Sequence, residues 1–171
     1  MKTYKYIKFI LVAACIACIP ASASAATVFL ESSRSNISVG DTVIVSVKVN
    51  AEGTTINTVD GSVAVTSGGT SVGVQEFSLA NSAFGLWPRT PSLSKDGQAI
   101  SFAGGVPGGF NIEGATIFKI IFQAQKEGVV NIAPQNISAY ANDGKGTKVA
   151  TKMKGVSIVV GPKKPGVAAT D

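Results

Sequence analysis

SVGDTVIVSVKVN, residues 38–50, decides the fold class of this chain. Val43, Val45, Val47 and Val49 alternate with Ile44, Ser46 and Lys48, a period of two that fits a strand with one buried face. Gly40-Asp41 ahead of the run supplies its turn. The pattern continues outward. Val59, Val63 and Val65 repeat it with Asp60, Ser62 and Ala64 on the other side, and Val28, Leu30, Ile100, Phe102, Val130, Ile132, Val156, Ile158 and Val160 mark further strands. Between Val72 and Leu79 the phase slips, since Val72 and Val74 are even-numbered while Phe77 and Leu79 are odd. A bulge near Gln75-Glu76 returns both sets to one face. Turn signals stand at Gly40-Asp41, Ala51-Glu52-Gly53, Ser67-Gly68-Gly69, Lys95-Asp96-Gly97, Glu127-Gly128 and Asn142-Asp143-Gly144. No window of a dozen residues shows an amphipathic helix. An all-β, two-sheet β-sandwich of about nine strands is predicted. Its core is expected to hold Val43, Val45, Val47, Val63, Val65, Ile100, Phe102, Phe118, Ile120, Phe122, Val156 and Ile158.

Both ends of the chain read differently from this body. Lys2, Lys5 and Lys8 precede an apolar run from Phe9 to Ile19, and Ala23-Ser24-Ala25 fits a small-x-small cleavage site, so residues 1–25 read as a secretory signal peptide. The apolar run is shorter than the ~20 residues that a spanning helix needs. A second reading of this segment takes Val12-Ala13-Ala14 before Cys15 as a lipobox, but cutting there would strand the apolar residues 15–19 on the mature side. The expectation is therefore a secreted or cell-surface domain over residues 26–160, with no membrane insertion after cleavage. Residues 161–171, GPKKPGVAATD, read as a linker or tail with an extended Pro-Lys-Lys-Pro core.

Composition then narrows the chemistry. The chain has no histidine, and both cysteines, Cys15 and Cys18, precede the cut. A mature domain without either residue lacks the commonest nucleophile, acid–base and zinc-ligand side chains, and it can form no disulfide. Of 15 basic residues, three leave with the signal, so 12 stand against 10 acidic ones, a balance of +2. Such a balance leaves no nucleic-acid footprint. Asp41, Glu52, Asp96, Glu127 and Asp143 fall in turns, and Asp60, Glu76 and Glu113 show no spacing that sets two carboxylates across a cleft. The domain reads as a non-enzyme that needs no metal and no cofactor of its own.

One long stretch resembles a known family. ISFAGGVPGGFNIEGATIFKIIFQAQKEGVVNIA, residues 100–133, is similar to the central part of bacterial cohesin domains: a strand, a Gly-rich loop, a long strand, a turn Gly and a short apolar strand. SVGDTVIVSVKVN resembles the cohesin opening and second strand, INTVDGSVAV the third, and ISAYANDGKGT the late strand and turn. The likeness spans roughly residues 27–160. It implies a jelly-roll topology and a non-catalytic receptor that binds a calcium-loaded, dockerin-like protein module, or another surface protein, in extracellular scaffolds linked to polysaccharide breakdown. A single such domain on a short chain departs from large repeated scaffolds. A direct carbohydrate-binding module and a structural or adhesive surface domain are the alternatives.

Candidate sites follow from these readings. The strand 115–124 shows Phe118, Ile120 and Phe122 in one phase, and Ile117 and Ile121 in the other beside Lys119 and Gln123, so its second face is either covered by a loop or kept for a partner. The resemblance implies that a flat sheet face containing Ser62 and Ser101 receives the dockerin. Asp60, Ser62, Ser101, Ile117 and Ile121 are thus the candidate partner-binding residues. Trp87, the sole tryptophan, stands in the Pro-flanked FGLWPRTP with Phe84 and Arg89, either as a sugar-stacking platform or as a pin that holds a loop to the sandwich. Gly104-Gly105-Val106-Pro107-Gly108-Gly109 lacks the Lys and Ser/Thr of a phosphate loop and reads as tight backbone turning. Asn142-Asp143-Gly144 lacks the ligands of a calcium loop and reads as a hairpin turn.

Overall fold

A computed structural model describes residues 25–66 and 72–164. The signal-like segment through Ser24, the Ser67-Gly68-Gly69 turn and residues 165–171 lie outside the described residues. Every regular element described is a strand: β1 (Ala25–Ser32), β2 (Asn36–Ser38), β3 (Thr42–Asn50), β4 (Ile56–Thr66), β5 (Val72–Ser78), β6 (Leu86–Leu93), β7 (Ala99–Phe110), β8 (Ala115–Ala124), β9 (Gly128–Ala141), β10 (Lys148–Lys154) and β11 (Val156–Gly161).

Hydrogen bonding follows one path, β5-β8-β3-β1-β10-β9-β4-β7-β6, with β11 pairing β9 and β2. The path turns over at β10, where Lys148 and Val149 pair antiparallel with β9 while residues 150–154 pair in parallel with β1. Two layers result. The first is β5-β8-β3-β1; the second is β6-β7-β4-β9, widened by β11 and β2. The rings of Phe118 on β8 and Phe102 on β7 lie 5.0 Å apart across the interior, although their strands share no hydrogen bond. The observed architecture is the predicted all-β sandwich. Every residue of the predicted core is buried except Val156, which is half-buried against it.

Among the described residues the strand count is eleven rather than about nine, for three local reasons. β2 is only three residues long. The last run breaks at Gly155, where a Cβ would lie 2.5 Å from the Ile132 carbonyl oxygen. The Pro-flanked stretch around Trp87 is a strand and not a loop: Pro88 and Pro91 are tolerated because β6 is a sheet edge.

Two bulges set the phase of the first sheet. Gln75 is the extra residue between Val74 and Glu76, so Val72, Val74 and Phe77 align with Ala124, Phe122 and Ile120 on β8 as expected. The same device recurs on β8. Val47 pairs with Phe118 but Lys48 pairs with Thr116, which leaves Ile117 as the extra residue. Inward positions are therefore odd before the bulge (Ala115, Ile117) and even after it (Phe118, Ile120, Phe122, Ala124), and all six are buried. Backbone groups near the bulge find partners in the segment after β5: the Ala83 amide donates to the Thr116 carbonyl at 2.8 Å and the Ser82 hydroxyl to the Ile117 carbonyl at 2.6 Å.

Carboxylates lock the turns. Asp41 accepts from the Ser38 amide at 3.1 Å and faces Lys164 and Arg34 at 3.5 and 3.4 Å. The Ser38 hydrogen bond is the largest cause that holds its carboxyl below the usual value; desolvation opposes it, and Lys164 and then Arg34 add to the lowering. Asp143 accepts from the Thr147 hydroxyl and from the Lys145 amide at 2.9 Å, which lowers its pKa in the same sense and closes the β9–β10 hairpin. Asp96 is lowered by the Ser94 hydroxyl and the Gln98 amide, and Glu52 by the Thr27 hydroxyl and by Lys152.

Three outcomes follow. Phe118→Ala removes a fully buried ring that touches both layers and is expected to cost about 3–5 kcal/mol in urea unfolding, with the m-value unchanged. Ile44→Ala, at a residue 41% exposed, should cost less than about 1 kcal/mol. The depressed carboxylates stabilise the fold above the ordinary carboxylate range, and that contribution is lost as pH falls through their folded-state values. Asp143→Ala should therefore melt below the parent at pH 7, and the two melting temperatures should converge towards about pH 2. A gap that persists undiminished at low pH would show that the charge is not what holds this turn.

Candidate functional site

β4 is the centre of the second sheet, between β7 and β9. Val59, Val63 and Val65 face the core, so Thr58, Asp60, Ser62 and Ala64 alternate onto the outer face. Register then fixes their neighbours. Thr58 stands between Tyr140 and Gly105, Asp60 between Ser138 and Ala103, Ser62 between Gln135 and Ser101, and Ala64 between Ala133 and Ala99. On β6, Leu86 pairs with Gly105, Arg89 with Ala103, and Ser92 with Ser101. Most of these side chains end at Cβ or one atom beyond it. The face is consequently low and flat, with little rotamer entropy to lose on contact.

Three hydroxyls on this face are used internally: Ser62 donates to the Gln135 carbonyl at 3.2 Å, and the Ser92 and Ser101 hydroxyls meet at 3.3 Å. Asp60 differs from the other polar residues of the face in that its Oδ1 is buried and yet has no hydrogen-bond partner among the described residues. An unmade hydrogen bond of this kind costs about 1–3 kcal/mol, more for a charged group. Arg89 stands two strand spacings away, roughly 10 Å, and makes no ion pair among the described residues.

Glycines shape the rim. β9 carries one extra residue here, with Asn136 and Ile137 both opposite Gly61, where a Cβ would lie 2.7 Å from Ile137 Cδ1 and 2.9 Å from the Asn136 carbonyl oxygen. Gly61 also sits at φ +148°, so only glycine lets the sheet close next to Asp60. On β7, Gly105 pairs with Thr58 but Phe110 pairs with Ile56, so residues 106–109 arch out of the sheet. The Asn142 side-chain amide donates to the Gly108 carbonyl at 2.8 Å and pins that arch.

The structure separates the five candidate residues. Asp60, Ser62 and Ser101 share the face just described. Ile117 does not: the β8 bulge turns it inward and it is fully buried. Ile121 lies on the outer face of the other sheet, paired with Ile44 and with Glu76. A single face bearing all five is thus corrected, because β8 and β4 belong to different layers. The sugar-platform reading of Trp87 is corrected too. The β6 alternation points its ring inward, 5.8 Å from Phe84 and 6.4 Å from Phe118, and over Gly104, where a Cβ would lie 2.9 Å from the indole. Thr58, Arg89, Ala103, Gln135 and Ser138 are face residues that sequence reasoning missed. They could be found only from register, since none belongs to an apolar alternation.

Among the described residues no group of three or more His, Cys, Asp and Glu side chains is placed to hold a metal ion, and no helix is long and apolar enough to cross a membrane. No family model matches the sequence, and no curated protein is significantly similar to it. Solved structures are similar in shape. The seventh ScaB type I cohesin of Pseudobacteroides cellulosolvens aligns with a TM-score of 0.62 at 20% identity, over 85% of this chain and 98% of that one. The cohesin module of a Clostridium perfringens family 33 glycoside hydrolase aligns at 0.64 and 8% identity, over 84% and 100%. The third ScaB cohesin of R. flavefaciens, solved in complex with a group 1 dockerin, aligns at 0.57 and 17% identity, over 85% and 100%. Near-complete coverage on both sides, at identities this low, is a likeness of fold, and on that measure this chain has the fold of the cohesin modules.

Proposed function

We propose that this chain is a non-catalytic recruiting module that takes a dockerin-type protein partner on the outer face of the β6-β7-β4-β9 sheet. The observation that carries the reading is the buried, unpartnered Asp60 Oδ1 in the middle of a flat face of small side chains. That oxygen is itself closed off from the surface, so a partner's donor would meet the carboxylate at its other oxygen, Oδ2, and a face with few flexible side chains loses little entropy when covered. Three further findings support it. The fold is shared with cohesin modules, one of them solved with a dockerin bound. Asp41, Glu52, Asp96 and Asp143 are engaged in turns and not assembled for acid–base work. The outer face of the other sheet is already laced by the Lys48–Glu31 ion pair. The signal-like segment 1–25 supports action outside the cell, and the cohesin likeness supports a setting in polysaccharide breakdown.

The test is capture of purified, calcium-loaded dockerin modules on the immobilised protein, read by biolayer interferometry. At least one module should bind, and calcium chelation should release it. Ser62→Arg should weaken that binding by at least about 30-fold, the equivalent of about 2 kcal/mol, while the melting temperature stays within a few degrees. Ile44→Asp, on the opposite layer, should leave affinity within about threefold. Equal loss with both variants, or with Ile44→Asp alone, would contradict the assignment of the face.

A further inference from the structure

Leu86 is the most exposed apolar residue of β6, at 55%, and the reason lies in its neighbours. Alternation along β6 sends Trp87 into the core and leaves Leu86 and Pro88 outside it. Opposite them, Val106 and Pro107 rise in the arch that leaves the sheet after Gly105. Between these two walls is an open pocket of about 210 Å³, its far side formed by Asn57 and Thr58 of β4. Its floor is bare. Gly104 lies directly over the Trp87 ring, and at Gly105 a Cβ would be 2.4 Å from the Asn57 carbonyl oxygen, so neither position can carry a side chain that fills the space. The lining is chiefly apolar and open to water.

We infer that this pocket is the anchor site for one aliphatic side chain of the protein partner, seated beside the donor that the recruiting role already assigns to Asp60. This rests on the recruiting role proposed above. Thr58 lines the pocket and Asp60 is the next outward residue of the same strand, so the two features lie about 7 Å apart on one continuous face. Their chemistry is complementary to a single kind of partner: an apolar knob next to a hydrogen-bond donor, with an acidic group facing Arg89. A sugar would stack on an exposed aromatic ring; the ring of β6 points away, and Tyr140, the aromatic beside Thr58 on this face, is half-buried with the Lys148 ammonium 5.9 Å from its ring centre. Desolvated apolar anchors in pockets dominate most interfaces, so the side chain filling this one selects among partners.

Two experiments test the pocket separately from the recruiting role. In the first, N-acetyl-leucine methylamide is titrated into the isotope-labelled full chain, with N-acetyl-aspartate methylamide and cellobiose as comparisons. Saturable amide shifts at Thr58, Leu86, Gly105 and Val106 are expected for the leucine probe alone, half-complete in the range of about 10–100 mM, as suits one buried aliphatic group. Leu86→Asp should abolish them and Leu86→Met should keep them. No saturable shift at these amides, or equal shifts with the aspartate probe or cellobiose, overturns the pocket whatever the chain recruits. In the second, a dockerin captured by the parent is measured against both variants. Leu86→Asp should weaken it at least tenfold and Leu86→Met less than threefold. If Ser62→Arg abolishes capture while Leu86→Asp leaves it unchanged, the recruiting face stands and the anchor pocket is refuted.

Discussion

Phe118 packed against Phe102 is the contact on which the rest of this molecule depends. The two rings belong to different sheets, both are fully buried, and Trp87 and Phe84 extend the same aromatic cluster towards Phe110. No cysteine occurs among the described residues, so the layers are held by burial and by the backbone ladder alone. The Ile117 bulge is what lets β8 supply two adjacent side chains to that interior. It leaves main-chain carbonyls that Ser82 and Ala83 satisfy, and so ties the segment leading into β6 to the core. The proposed recognition at the surface would thereby rest on an interior already complete without it.

Much of the fold was legible because alternation is a direct print of a sheet with one wet face. Val43 to Val49 and Val63 with Val65 could be read in no other way, and the slip between Val74 and Phe77 announced its bulge at Gln75. The same slip between Ile117 and Phe118 was legible in principle. It was read instead as a strand apolar on both faces, because Ile121 lies just beyond it and shares the phase of Ile117. A single half-buried isoleucine on the opposite face was enough to disguise a change of register. β6 was missed for a different reason: two prolines mark a loop unless the strand is an edge, and edge position is a property of the assembled sheet.

The candidate site was less legible than the fold. Small polar residues on an outer face carry no periodic apolar signal, and nothing in Ser62, Ser101 or Ala103 says that the strands bearing them are neighbours. Asp60 was visible as an acid outside a turn, but its unpartnered oxygen is a fact of packing. The glycines show the same division. Their density at residues 104–109 was evident, whereas their purpose depends on what lies close to each: the indole at Gly104, the Asn57 carbonyl at Gly105, and Thr55 with Asn142 at Gly109. The surface that results is built of short side chains on paired strands, held close by those glycines.

The central claim is that recognition uses the outer face of the β6-β7-β4-β9 sheet and not that of its opposite. Cross-saturation NMR on the labelled protein, with an unlabelled dockerin module bound, reads this directly, because only amides near the partner lose intensity. The account predicts loss at Asp60, Ser62, Ser101, Ala103 and Arg89, with Ile44, Lys119 and Ile121 untouched. Loss centred on Ile44, Lys119 and Ile121 would contradict it.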